Sequence, residues 1–296
     1  MSEPREGLFL VDKPVGKTSF DIVRQCRKWG DTRKVGHAGT LDPKATGLLA
    51  VALGRCTKLI QYMVDEPKSY LFDVKLGEAT ESGDTESGVV DTRPWAHVER
   101  EDVEAVLDEF TGRIEQVPPV YSAVKIDGKR AHELARAGEE VELQPRPVDI
   151  HAIEIQRWEP PSVGFRVDCG SGTYVRSLAR DISLAVGTVG HATMIRRIRI
   201  GEFDIEEAVT PQAVDEEHFW SQVLSPLQML RGVPRYEADA SQCEDIRHGR
   251  KFWVEGSWDE GEWVAGHDAD GRLLAVMVCS DERGEQRQLW PRRVMV

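Results

Sequence analysis

Apolar stretches of strand length and stretches of helical period follow one another irregularly in this chain, and no GxGxxG turn opens a strand–helix unit. The missing βαβ period argues against a doubly wound nucleotide-binding sheet and for a mixed or antiparallel α+β domain. Residues 7–12 read as a short buried strand. After a loop punctuated by Pro14 and Gly16, Thr18 or Ser19 can cap a helix with apolar positions Phe20, Ile22, Val23 and Cys26 and a stop at Gly30. Tyr70, Phe72, Val74 and Leu76 alternate with Leu71, Asp73 and Lys75, the period of a half-buried strand. The acidic stretch 77–88 behind it has no apolar period and reads as a surface loop. Helices are expected over 99–110 and 131–137, paired strands over 148–158 and 163–169, a loop-into-helix unit up to Gly187, and a strand in "MIRRIRIGEF".

From about Gly232 the pattern changes to short apolar strands separated by Gly and Asp turns, as in a small β-barrel. The expected division is therefore a domain over 1–231 and a small module over 232–296. The five cysteines are widely spaced, with no CxxC pair, so neither a disulfide framework nor a zinc cluster is indicated. No apolar run is long enough to span a bilayer and the first seven residues are polar and charged, so a cytoplasmic protein is expected.

The net charge of -13 argues against a generic basic nucleic-acid binder, but its distribution is uneven. Residues 11–61 carry ten Lys/Arg against four Asp, whereas residues 62–120 carry five against fifteen acidic residues. The basic stretch contains "GHAGTLDPKATG", residues 36–47. Its glycines let backbone approach a ligand, and Pro43 biases Asp42 away from helical dihedrals, so Asp42 can point outward as an acceptor or nucleophile. From spacing alone it is equally a cap for the apolar segment beginning near Ala45.

Five blocks in order, "VDKPVGKTS", "GHAGTLDPKATG", "KSY", "PPVYSAVKIDGKRAHELAR" and "GTYVRSLARD", closely resemble the TruB family of tRNA pseudouridine synthases. The resemblance runs from about Gly7 to Val209. It implies the α+β pseudouridine synthase fold, with a mixed, largely antiparallel central sheet flanked by helices, and isomerisation of the uridine at position 55 in the tRNA T loop, without metal, cofactor, guide RNA or an obligate protein partner. Asp42 matches the aspartate that acts as nucleophile or base at the sugar, with an ordinary pKa sufficing for ionisation. Arg176 matches its guanidinium partner, for which two parallel hydrogen bonds are expected. Tyr70 and Tyr174 match the active-site tyrosines, Tyr70 stacking on the flipped base and assisting proton removal from C5. His37 matches the residue that fills the vacated space, and Ile195 a pocket position that is commonly Leu. Lys13, Lys17 and Lys44, with Lys125, Lys129 and Arg130, are the expected phosphate contacts. The tail resembles a PUA RNA-binding domain, although it counts nine Lys/Arg against thirteen acidic residues.

Three other readings stand beside this one. A guide-RNA-dependent, dyskerin-like subunit would carry a larger PUA domain and basic extensions. A non-catalytic RNA binder on the same scaffold would not need Asp42, Arg176, Tyr70 and Tyr174 together. An aspartate-dependent glycoside hydrolase would need a second catalytic acid.

Overall fold

The computed structural model describes residues 5–122, 124–126, 128–131, 134, 137, 141 and 143–295. The first helix begins as its sequence predicts. Thr18 Oγ1 accepts from Asp21 N at 3.0 Å and Asp21 Oδ2 accepts from Thr18 N at 2.9 Å, a capping box that opens α1 (Ser19–Trp29). Ile22, Val23 and Cys26 are buried, but Phe20 faces outward, contrary to its reading as a core position.

The strands are β1 (Gly7–Lys13), β2 (Val35–Ala38), β3 (Thr46–Leu53), β4 (Lys68–Leu76), β5 (Glu78–Thr80), β6 (Val89–Thr92), β7 (Gly112–Gln116), β8 (Lys125–Ile126), β9 (Lys129–Arg130), β10 (Arg146–Glu159), β11 (Ser162–Cys169), β12 (Gly190–Ile200) and β13 (Phe203–Asp204). Nine of them form one sheet with the order β1-β3-β12-β4-β11-β10-β7, to which β2 adds on β3 and β13 on β12. Within it the β3–β12 pair is parallel and the other pairs are antiparallel, as a mixed, largely antiparallel sheet requires. The parallel pair demands a glycine: Gly47 has φ +101°, and a Cβ there would lie 2.2 Å from the Arg197 carbonyl oxygen.

Further helices are α2 (Gln61–Val64), α3 (Arg100–Leu107) and α4 (Val175–Ala185). The first of these is a single turn behind β3, whereas α3 and α4 cover Phe72, Val74, Val163, Phe165 and Val167 on one face of the sheet. On another face, α1 packs with Phe9, Val11, Leu49 and Phe219. The helix expected over 131–137 lies largely outside the described residues. The acidic stretch after β4 differs from a simple surface loop. Its ends pair as β5 and β6, and Ser82 and Asp84 between them are buried.

The tail forms a second sheet from β14 (Arg235–Glu237), β15 (Phe252–Glu255), β16 (Trp263–His267), β17 (Leu273–Arg283) and β18 (Gln286–Val294), in the order β14-β16-β17-β18-β15, with α5 (Ala240–Arg247) against it. One face has its own core of Ile246, Phe252, Val264, Leu274, Met277 and Leu289. Ala265, Leu273, Val276 and Met295 instead join a cluster with Leu8, Leu48, Leu59 and Leu230, so the tail also completes a core beneath β1 and β3. Tyr62 and Trp263 add an edge-on ring contact at 5.1 Å across the same boundary. Among the described residues no helix is long and apolar enough to cross a membrane, and the five cysteines are free.

Candidate active site

A cleft of about 1070 Å³ opens where the β2–β3 loop, β4, β12 and the start of α4 converge. Asp42 sits on that loop, followed by a strand rather than a helix, so it has no helix to cap. Ser19, at the start of α1, fixes the loop one residue away: its hydroxyl donates to Leu41 O at 3.0 Å and accepts from Leu41 N at 2.9 Å. This is the structural use of the "KTS" block.

Arg176, in the first turn of α4, is buried and reaches Asp42 Oδ2 through Nη2 at 3.0 Å. The expected two-bond fork is not formed. Nη1 donates to Ser82 O at 2.8 Å, Nη2 also donates to Tyr121 O at 2.9 Å, and Nε lies 3.8 Å from Asp84 Oδ2. The guanidinium is thus oriented by buried carbonyls and a second carboxylate, and presents one corner to Asp42. Asp84 is itself fixed, its Oδ1 accepting from Ser82 Oγ at 2.6 Å and Glu86 N at 2.8 Å. Its Oδ1 is thus committed to the loop, and its Oδ2 faces the Arg176 guanidinium.

Asp42 keeps 39% of its side chain exposed, on the cleft it lines, so one side of the carboxylate is open to a ligand. Its pKa is not ordinary. Burial pushes it up, Arg176 opposes that, and the like charge of Asp84 adds to the rise. Lys13 is a second correction. Expected among the phosphate contacts, it is buried, donating to Lys17 O at 2.6 Å and Pro14 O at 3.2 Å. Burial brings its pKa down to about 8, against the pull of Asp42. It acts as a buried positive charge behind the loop and not as a surface contact.

Register places the other groups. Tyr70 on β4 stands opposite Arg197 on β12, and Ile195 stands two residues before Arg197. All three line the cleft with His37 and Tyr174. Burial raises the Tyr70 pKa, partly countered by Arg197, with which its hydroxyl hydrogen-bonds. His37 belongs to β2 rather than to a loop, and burial and the Arg197 charge lower its pKa, favouring neutral imidazole. Tyr174 is held through its backbone: Gln116 Nε2 donates to its carbonyl at 3.2 Å, and its N–H donates to Gln116 Oε1 at 2.8 Å.

Sequence reasoning missed Arg197, Asp84, Ser19 and Gln116. Arg197 is among the largest fully buried side chains, and it donates from Nε to Leu48 O at 2.8 Å and from Nη2 to Gly39 O at 3.1 Å. It therefore ties together the two ends of the segment that carries Asp42. Of the remaining expected cations, Lys17 and Lys44 are exposed, each adjacent in the chain to a cleft-lining residue, Thr18 and Pro43. Lys125, Lys129 and Arg130 lie in the β8–β9 hairpin, and their side chains fall outside the described residues.

Residues 27–175 match the family described as TruB family pseudouridylate synthase (N terminal domain), and residues 176–233 match the tRNA pseudouridylate synthase B C-terminal domain. A protein of Mycobacteroides abscessus named tRNA pseudouridine synthase B is 40% identical over 290 residues, 96% of each chain. One of the same name from Aromatoleum aromaticum is 46% identical over 248 residues, covering 83% of this chain and 80% of its own. A solved chain from a Cbf5–Nop10–Gar1 complex is 26% identical, with a TM-score of 0.75 over 99% of this chain and 85% of its own. With matched domains that together span 27–233 and relatives of this similarity along nearly the whole length, the chain belongs to the TruB family of pseudouridylate synthases.

Proposed function

We propose that this protein isomerises uridine to pseudouridine at position 55 in the T loop of tRNA, acting on the RNA without a guide, in the cytoplasm. The observation that carries the reading is the open side of Asp42 in a cleft that also collects Tyr70, Tyr174, Ile195 and His37, with Arg176 behind the carboxylate.

The target uridine is extruded from its loop into the cleft, at a cost of a few kcal/mol. Tyr70 and Ile195 bracket the base, and neutral His37 fills the space it leaves. Asp42 acts at the sugar, as nucleophile or as base, while the C1′–N1 bond breaks. The freed uracil turns, C1′ bonds to C5, and a proton is lost from C5 while N1 gains one, the Tyr70 hydroxyl assisting by passing its own proton on as it takes up the one from C5. The chemistry is balanced without redox change, metal or cofactor. Arg176 keeps Asp42 charged against the burial that raises its pKa. Lys17, Lys44 and the β8–β9 hairpin contact phosphates, which set position rather than sequence. The tail over 232–296 is a PUA-like RNA-binding module beside the synthase domain over 1–231.

The test is incubation of the purified protein with an unmodified tRNA transcript and mapping of pseudouridine. Modification confined to position 55 without added guide RNA is expected. Binding without any pseudouridine would favour the non-catalytic reading, and a requirement for guide RNA would favour the dyskerin-like one.

A further inference from the structure

Phe20 lies in the first turn of α1 and lines the mouth of the cleft with 55% of its surface exposed. Arg24 and Arg27, one and two turns further along, each hold a guanidinium 5.6 Å from the Phe20 ring centroid. The Arg24 side chain is 68% exposed and pairs with Asp21 at 3.3 Å. Arg27 Nε makes no hydrogen bond among the described residues. A phenyl ring left in water at a cleft mouth gains nothing for the fold, and surface cation–π pairs are weak. The cluster lies within the stretch 11–61, which carries ten Lys/Arg against four Asp.

We propose that Phe20, Arg24 and Arg27 form a nucleotide platform on the cleft rim. One unpaired base next to the extruded uridine stacks on Phe20, and the phosphates flanking that base are taken by Arg24 and Arg27. The inference rests on the reading of the substrate as RNA with a flipped base. His37 fills the gap inside the loop, whereas a neighbouring base drawn out toward the rim with the uridine needs a stacking partner there, and an aromatic ring supplies one. An aromatic face with guanidinium groups beside it is the combination that single-stranded RNA uses, since every base has a π-face and every linkage a charge. Arg24 is exposed beside the ring, where a backbone would pass, and Arg27 is half-buried against it with its Nε covered.

The test uses the full-length protein and an unmodified T-arm transcript, with equilibrium binding and single-turnover pseudouridine formation measured for Phe20→Ala, Phe20→Leu, Phe20→Trp, Arg24→Ala and Arg27→Ala. Because Phe20 is exposed, these changes leave the core intact. Phe20→Ala and Phe20→Leu are expected to weaken binding by roughly 10- to 100-fold, with kcat/KM falling in step, and Phe20→Trp is expected to bind like the wild type. Each arginine variant should lower the log–log salt slope by about 0.7–0.9. A 2-aminopurine placed beside the target uridine should be quenched by wild type and by Phe20→Trp but not by Phe20→Leu. Wild-type affinity in Phe20→Ala, or rescue by Leu as complete as by Trp, would overturn the platform, the latter pointing to an apolar protein contact. If wild type binds the transcript but makes no pseudouridine, the proposed function fails while the platform is still judged by binding. Failure of wild type to bind the transcript would overturn both.

Discussion

Replacing Arg197 by Met keeps an unbranched apolar stem but shortens the side chain and removes every donor. Two backbone carbonyls, Leu48 O and Gly39 O, then lose the hydrogen bonds at 2.8 and 3.1 Å that tie the ends of the segment carrying Asp42. Loss of a buried partner costs about 1–3 kcal/mol per group, giving roughly 2–6 kcal/mol for the two. Relief from burying a cation offsets part of this, so a net loss of about 2–4 kcal/mol is expected. The second effect is positional. Asp42 lies between the two tied ends, and a misplacement of about 1 Å can cost on the order of 100-fold in rate. Urea unfolding gives the stability loss. Single-turnover pseudouridine formation at saturating transcript gives the rate, and equilibrium binding should change little because phosphate contacts carry it. A wild-type urea midpoint would refute the energetic reasoning. A destabilised variant with wild-type turnover would show that Arg197 only holds the core and does not aim the loop.

Asp42 must be ionised to act, and its pKa is raised, so activity should fall on the acid side above the ordinary carboxylate value of about 3.9, and Asp84→Asn, by removing a like charge, should move that limb to lower pH. A single-turnover pH profile checks both shifts. The linked stability effect has the opposite sense: ionising a carboxyl whose folded pKa is raised costs folding energy, so this group's contribution is fully present at low pH and is lost as pH rises through its folded pKa. Gly47→Ala places a Cβ 2.2 Å from the Arg197 carbonyl oxygen at a positive φ, and should lower the melting temperature and turnover together; an unchanged melting curve would contradict the β3–β12 register. Ending the chain at Arg231 removes Ala265, Leu273, Val276 and Met295 from a cluster shared with Leu8 and Leu48, so the truncated protein should melt earlier and bind apolar dyes, beyond any loss of RNA affinity.

Local pattern and short motifs carried much of this structure. The alternation from Tyr70 to Leu76 gave the strand and its inner face, the "KTS" punctuation gave the α1 cap, and the absence of a βαβ period gave the mixed sheet. Asp42, Arg176, Tyr70 and Tyr174 were legible through five motif blocks, and the cleft brings them together. What sequence could not show depends on distant partners. Asp84 sits in an acidic stretch without apolar period, and it is buried because Arg176 arrives from another element. Lys13 has the residue type of a surface contact, but at the end of β1, close to Asp42, it is buried. Arg197 belongs to a run of basic residues on β12 that looks uniformly solvated, yet register turns that one between Tyr70 and Gly47. Phe20 satisfies the helical period in its apolar character but not in its position, and only the packing of α1 shows it facing the cleft mouth.

The central claim is that Asp42 performs the chemistry and that the rest of the cleft presents the uridine to it. Asp42→Asn keeps size and shape while removing the charge and the reactive oxygen. The decisive measurement is single-turnover pseudouridine formation on an unmodified tRNA transcript by wild type and by Asp42→Asn, beside equilibrium binding of the same RNA. Turnover by wild type, none by the variant and closely similar affinity for both is the predicted result. Near wild-type turnover in Asp42→Asn would contradict it.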